Sequence, residues 1–537
     1  MSSLLLVNGR IHTQDPACAG ATAVLIRDGR FQVVGSDGDA RALAGPGAKV
    51  IDLGGRLVLP GMVDGHFHYY DWALGRRRVM LAGVPSLRDL QDRVAAGTRA
   101  AAPGAWVLGQ GWNETEWAER RLPSRKDLDQ AAPDHPVLLW RSDLHLAVLN
   151  SMALRLAELG PHTPNPPMGV IDKDPEGRPT GILRDLAINL ATARIPPTPD
   201  ADVAQAFQDG FPCLYETGLT GVQDQRLMGG PEGAQAFRVW QNLDADGNLG
   251  LRVWMNLPGE RLGEAIALGL RTGMGGDRLR VGHCKYFSDG AQGVHTAWML
   301  EPYDDDPGTG LQLTPMGEIE AALRKAHPAG LAIAVHAIGD RACQELSLVF
   351  QRVLGELGAC PDAPRAPHRI EHLQLVQARD LDRLARLGVT ASVQPLSVLD
   401  DIPMMAPTIG ARTRIAHAWR SMLDAKVELV FGSDCPVSDP NPFKGIHAAV
   451  TRRRDDLTGA QGWHPEQRVS VAEAVSAYTM GTARVTGRER DLGSISPGKL
   501  ADLVVADRDI FTVDPMEIAQ ARPALTVFEG RVVFQAL

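Results

Sequence analysis

The sequence predicts an α/β protein: a (β/α)8 TIM barrel with a large insertion after its first strand, plus a small β-sandwich built from both termini. Three observations predict it. Eight short apolar runs recur along the chain, most of them followed by stretches rich in Ala, Leu, Arg and Glu. The first sixty and last fifty residues read instead as short alternating strands broken by turns. About 150 residues separate the first run from the second, far more than one strand-to-strand crossover uses.

The elements follow in order. Residues 1–60 hold SLLLVNGRIHT, TAVLIRDGRFQVVG and KVIDLGGRLVLP, alternating apolar segments interrupted by NG, DG and GG, which are hairpin signals. Residues 486–537 hold GSISPGKLADLVVADRD and ALTVFEGRVVFQAL, which read the same way. Each end is too short for a core of its own, so the two are expected to share one sandwich. Residues 61–485 carry the barrel runs VLPGMVDGHFH, GLTGVQD, LRVWMNL, LRVGHCKYFSD, LAIAVHAIGD, HRIEHLQLV, TASVQP and ELVFGSDCPV. Strand–helix alternation of this kind makes a parallel sheet, and eight units close a barrel. The insertion spans roughly residues 80–200 and contains a Pro-rich stretch, HTPNPPMG, that reads as loop.

Bulk properties narrow the class. The chain has 537 residues, 22% charged and 44% hydrophobic, which is a globular composition. The net charge of −9 carries no basic footprint, so the expected partner is a small molecule and not nucleic acid. Six cysteines at 18, 213, 284, 343, 360 and 435 form no CxxC pair and no regular spacing, which excludes a disulfide framework or thiolate zinc site as the reading. No secretory signal is read at the start and no run reaches membrane-spanning length, so the expectation is a cytoplasmic protein without a membrane partner. A homodimer is expected only because it is the commonest assembly.

The chemistry begins at GMVDGHFH. Residues i and i+2 of a strand share a face, so His66 and His68 point the same way and can grip one ion. A lone HxH is more often packing than a ligand pair. The other runs change that reading, because barrel enzymes place their chemistry at the carboxyl ends of the strands. There stand Lys285 in run four, His336 in run five, His372 in run six and Asp434 in run eight. Singly, each has a bland reading: a lysine paired with a carboxylate such as Asp289, two core histidines, a helix-capping aspartate. Jointly, four histidines, a lysine and an aspartate at one rim make a ligand set for a hydrolytic metal centre.

PGMVDGHFH, AVHAIGDRA, RIEHLQLV, FGSDCPV and the tail GTARVTGRERDLGSISPGKLADLVVAD resemble the amidohydrolase superfamily. GQGWNETEW, DLHLAVLNSMAL, KYFSDGAQG and VQPLSVLDD narrow the resemblance to amidohydrolase family 3, the branch that includes N-substituted formamide deformylases. The resemblance covers nearly the whole chain. It implies two divalent ions, zinc foremost: His66, His68 and Asp434 on one, His336 and His372 on the other, and an N6-carboxylated Lys285 bridging them. It implies that Asp434 is the general base and acid for hydrolysis of an amide, N-acyl or N-formyl bond through a metal-bridging hydroxide. One departure stands out: the branch usually follows the lysine with an apolar residue and FADGS, where this chain has KYFSDGAQG.

Trp112, Trp117, His145, Trp298 and Gln394 are candidates for the substrate pocket. His145 follows the apolar stretch VLLWRSDL in the insertion and is expected to reach over the site. His283 shares the face of Lys285 and reads as a support behind the ligands or as core. Two other classes remain as alternatives. A mononuclear deaminase on the same barrel would need a glutamate placed for proton shuttling, and Glu371, next to His372 on a strand, should face away from it. A non-enzymatic binding member would leave the ligand set unexplained.

Overall fold

The computed structural model describes residues 3–228, 232–454 and 458–536. All eight apolar runs form strands of one parallel sheet: β1 (Met62–Phe67), β2 (Leu219–Asp224), β3 (Arg252–Pro258), β4 (Leu279–Phe287), β5 (Ile333–Ala337), β6 (Arg369–His372), β7 (Thr390–Val393) and β8 (Leu429–Phe431). They follow one another in chain order around the sheet. Beyond β8 the chain turns back onto β1: Phe67 bridges Cys435 in parallel, the Asp434 N–H donates to the His66 carbonyl at 2.7 Å, and the His68 N–H to that of Cys435 at 2.8 Å. The barrel closes through the residues that carry the chemistry. Strands such as β5 are buried on both faces, which is why they read as unbroken apolar runs.

Helices cover the outside. In Asp340–Leu357 the buried positions Cys343, Leu346, Phe350 and Val353 recur at helical spacing and face the barrel. The helix ends at Gly358, where φ is +59°, a conformation glycine adopts without a Cβ clash.

Both termini build a two-sheet sandwich beside the barrel. One sheet runs Arg30–Gly35, Ala23–Arg27, Ser3–Val7, Lys49–Asp52; the other runs Arg10–Ile11, Leu57–Pro60, Leu503–Ala506, Pro523–Phe528, Arg531–Gln535. Leu4, Leu6, Val24 and Ile26 of the first meet Val58, Leu503, Val505 and Leu525 of the second. Val504 and Ala506, on the opposite face of the same strand, pack into the barrel's core. That strand is therefore apolar at every position. A buried ion pair between Arg252 at the start of β3 and Asp502 joins the two bodies.

The insertion is a folded layer. Residues 79–185 form a six-stranded sheet in the order 169–173, 179–185, 146–149, 137–141, 107–112, 79–80. Helices Leu87–Ala100, Arg125–Ala131 and Ser151–Leu156 accompany it, and the stretch around HTPNPPMG is turn and loop.

Candidate metal centre

β1 delivers His66 and His68 to the rim, their ring centroids 5.5 Å apart. His66 is fully buried. Its Nδ1 lies 2.6 Å from Glu371 Oε2. Burial alone would raise the Glu371 carboxyl, but Arg369 and His66 beside it hold it well below the usual range. An ionised carboxylate only accepts, so Nδ1 carries the proton and Nε2 is left with its lone pair. That Nε2 faces Asp434 Oδ1 at 3.1 Å, and His68 Nε2 approaches the same oxygen at 3.2 Å.

These contacts lack hydrogen-bond geometry. Among the described residues, His66 Nε2, His68 Nδ1, Lys285 Nζ and Asp434 Oδ1 are buried polar atoms without a hydrogen-bond partner. Native interiors rarely leave such atoms unsatisfied. A lone pair held 3.1 Å from a carboxylate oxygen calls for a cation between them. Burial raises the Asp434 carboxyl, but the histidines, His66 first, outweigh it and hold it well below the usual range. The His66 ring, which burial would lower, is raised instead by Asp434 and Glu371.

The remaining groups complete the rim. A donor atom each from His66, His372 and Asp434 lie within 4.8 Å of one another, a spacing one ion can span. His372 (φ +68°) and Asp434 (φ +59°) both occupy the left-handed region, uncommon for residues other than glycine. Strained backbone of this kind clusters at functional sites. The His336 ring stands 4.4 Å from that of His372. Its Nε2 donates to the Gly290 carbonyl at 3.1 Å, leaving Nδ1 as its bare donor. Burial pushes the His372 ring down to about 3 and the His336 ring well below its ordinary value, so both are neutral and able to ligate. Burial also brings the Lys285 ammonium down to about 8. Lys285 makes no ion pair with Asp289, whose carboxylate accepts from the backbone N–H groups of Trp298, Ile338 and Gly339.

A cavity of about 820 Å³ opens above these groups, with His68, Lys285, His336, His372 and Asp434 at its floor. The insertion walls one side. From it comes His145, whose Nδ1 is 2.7 Å from Asp185 Oδ1 and whose ring lies 5.6 Å from that of His336. Gln394 also lines the cavity.

Three sequence expectations need correcting. Trp112 and Trp117 lie in the insertion's packed core, their ring N–H groups donating to the carbonyls of Leu139 and Val84, and do not line the cavity. Trp298 lies outside it too, its ring under the Arg341 guanidinium. His283 is core as expected: Nδ1 accepts from Trp254 Nε1 and Nε2 donates to the Pro367 carbonyl.

Sequence reasoning weighed Glu371 only as a proton shuttle and passed over Arg369, Asp64 and Asp185. Glu371 is locked beneath His66. Arg369 bonds Glu371, Gln223, Ser392 and the Gly65 carbonyl. Asp64 accepts from the backbone N–H groups of His66 and Ser433, tying β1 to the loop after β8. Asp185 holds His145. The available signal for two of them was a carboxylate beside a candidate ligand, in DGH and IEH.

Comparison with known proteins agrees with this geometry. Residues 49–534 match the amidohydrolase family. Putative amidohydrolase YtcJ of Bacillus subtilis is 30% identical over 516 residues, 96% of each chain. N-substituted formamide deformylase of Arthrobacter pascens is 28% identical over 548 residues, 99% of this chain and 98% of its own. The crystal structure of an uncharacterized metal-dependent hydrolase from Pyrococcus furiosus matches with a TM-score of 0.74 at 30% identity, over 95% of this chain and 100% of that one. The family match takes in every barrel strand and the whole rim, and the chain belongs to the amidohydrolase family, as a metal-dependent hydrolase.

Proposed function

We propose that this chain hydrolyses a carbon–nitrogen bond other than a peptide bond, in an amide, N-acyl or N-formyl small molecule, with two divalent ions. The observation that carries the reading is the convergence of six metal-competent groups, five on the cavity floor and His66 buried against them, with four buried polar atoms lacking hydrogen-bond partners. Six groups exceed what one tetrahedral ion uses. His66 through Nε2, His68 and Asp434 would hold one ion. His336 through Nδ1 and His372 would hold the other, with Lys285 as a carbamate shared between them. Imidazole and carboxylate donors suit zinc. Bound ions would supply an activated water and polarise the substrate carbonyl.

The chain's own groups do the rest. Asp434 takes the proton from the attacking water and passes it to the leaving nitrogen as the C–N bond breaks and a C–O bond forms. Asp185 fixes the His145 proton on Nδ1 and points Nε2 at the cavity. Burial would lower the His145 pKa, but the Asp185 hydrogen bond raises it, which suits a donor to the substrate carbonyl or leaving group. Gln394, just past β7, would contact the substrate from the barrel side of the cavity. The formamide deformylase relative supports an N-formyl substrate. Glu371 does not line the cavity, which argues against the deaminase reading and its need for a proton-shuttling glutamate.

Elemental analysis of protein purified without chelator, with a screen of N-formyl and N-acyl amines, tests this. Two ions per chain and release of formate or another acid are expected. One ion per chain, with activity unchanged by added metal, would refute the binuclear reading. Glu371→Gln should weaken metal binding by about 10–100-fold, because it removes the charge that orients and enriches the His66 lone pair. Competition against a chromophoric zinc chelator reads it. Unchanged affinity would take Glu371 out of that role.

A further inference from the structure

The wall beside His68 holds charge that the hydrolytic groups do not use. Helix Tyr69–Gly75 begins at His68 and places Asp71 on the cavity. Glu232, from the helix Glu232–Ala245, reaches the same cavity. Two guanidiniums, Arg78 and Arg226, and one further carboxylate, Asp224, stand near them. Three carboxylates therefore face two fixed cations.

The pairing is lopsided. Asp224 is fully engaged, accepting from the Tyr69 N–H, Trp240 Nε1 and Arg226. Arg78 donates to Gln110 and lies 4.6 Å over the Trp140 ring. Glu232 accepts the Leu227 N–H with Oε1, but Oε2 is buried without a hydrogen-bond partner and sits 3.7 Å from Arg226. Glu232 is only 5% exposed. Asp71 has no hydrogen bond or ion pair among the described residues. Among other cavity acids, Asp143 is matched by Arg141 and Asp401 by His417, while Asp185 is matched by His145 through Oδ1 and keeps Oδ2 buried without a hydrogen-bond partner. Leaving a carboxylate oxygen buried and unmatched is costly, and a protein keeps one where a ligand supplies the missing donors. Burial takes the Glu232 carboxyl to about 8, with Arg226 pulling it down and the Asp71 charge adding to the rise, and burial raises the Asp71 carboxyl as well.

Around this pair the wall is apolar and aromatic, with Leu74, Trp140, Leu227 and Met228. An alkyl chain fits such a lining, and a charged end fits the acids. We infer that Asp71 and Glu232 form a cation subsite: the substrate carries an ammonium or other cationic nitrogen, joined by a short apolar linker to the bond that is cleaved. This rests on the hydrolase reading above and narrows its substrate class. The ammonium offers three donors, which serve Glu232 Oε2 and the Asp71 carboxylate together.

The test uses two substrates of nearly equal shape, N-formyl-1,4-diaminobutane and N-formylpentylamine, which differ by one terminal ammonium in place of a methyl. Hydrolysis adds one water to each, giving formate and the amine. The wild-type protein should favour the cationic compound by at least about tenfold in kcat/KM, since a site built for a polar group discriminates against the analogue without it. In Asp71→Asn and in Glu232→Gln that ratio should fall towards one. Calorimetry with n-butylammonium against 1-butanol reads the subsite without turnover: only the cation should bind, and both variants should weaken it. Equal kcat/KM for the two substrates, or variants that lose metal while keeping the preference, would overturn the subsite. Butylammonium binding that both variants weaken, in a protein that hydrolyses neither compound, would keep the subsite and sink the N-formyl reading of the cleaved bond.

Discussion

Asp434→Asn is expected to keep the fold and cut turnover by about 10²–10⁴-fold, the usual worth of general acid–base help. The substitution is gentle on the backbone. Asp434 sits at φ +59°, and asparagine is among the few residues that tolerate the left-handed region. Its N–H still donates to His66, so the seam between β8 and β1 stays closed. The side chain keeps an oxygen to offer a metal. What it loses is the ability to accept and release a proton, and the negative charge that His66 Nε2 and His68 Nε2 converge on. The loss should therefore fall mainly on kcat, measured at matched metal content. A variant with near wild-type turnover on the best substrate would remove Asp434 from proton transfer.

The barrel was legible because its strands are buried on both faces, so each appears as an apolar run. The grouping of the candidate ligands at one rim was legible because a barrel has one catalytic rim and strand ends mark it. Alternation misleads where a strand stops being a strand. Glu371 should face away from His372 in an extended chain. In the fold, His372 turns out at φ +68° while Glu371 stays in the barrel interior with Arg369 and reaches His66, 305 residues away in sequence. The tryptophans of GWNETEW failed for another reason. An aromatic side chain serves a pocket wall or a packed core equally well. What places Trp112 and Trp117 is the six-stranded sheet of the insertion, whose pairing no local pattern announces. Asp185 was hidden likewise: it meets His145 from 40 residues downstream, through pairing of its strand with the one that begins just after His145.

Lys285→Ala should lower metal content from two ions to about one and reduce hydrolysis by at least about 10²-fold, more than the 10–100-fold that loss of an outer partner costs. The argument starts from what an ammonium cannot do. It has no lone pair, so it cannot ligate a metal, and two nearby cations would repel it. Yet Lys285 Nζ is buried at the cavity floor with no hydrogen-bond partner among the described residues, 4.5 Å from the Phe287 ring centre. The carboxylate that would pair with it from the following loop, Asp289, is occupied by three backbone N–H groups. Burial brings its pKa to about 8, which makes the neutral amine accessible near neutral pH. That amine can attack CO₂, forming an N–C bond and releasing one proton, and the carbamate so made is an anion with two oxygens for two ions. If this is the role, a small carboxylate should partly replace it. Formate or acetate added to Lys285→Ala, or to Lys285→Gly with its larger gap, should restore part of the activity and the second ion, while leaving the wild-type protein unaffected. Mass spectrometry of the intact protein under CO₂ offers an independent reading, since the carbamate adds one carboxyl group that acid removes. A Lys285→Ala protein that binds both ions and turns over at the wild-type rate would rule out the bridge, and the buried ammonium would then need another explanation.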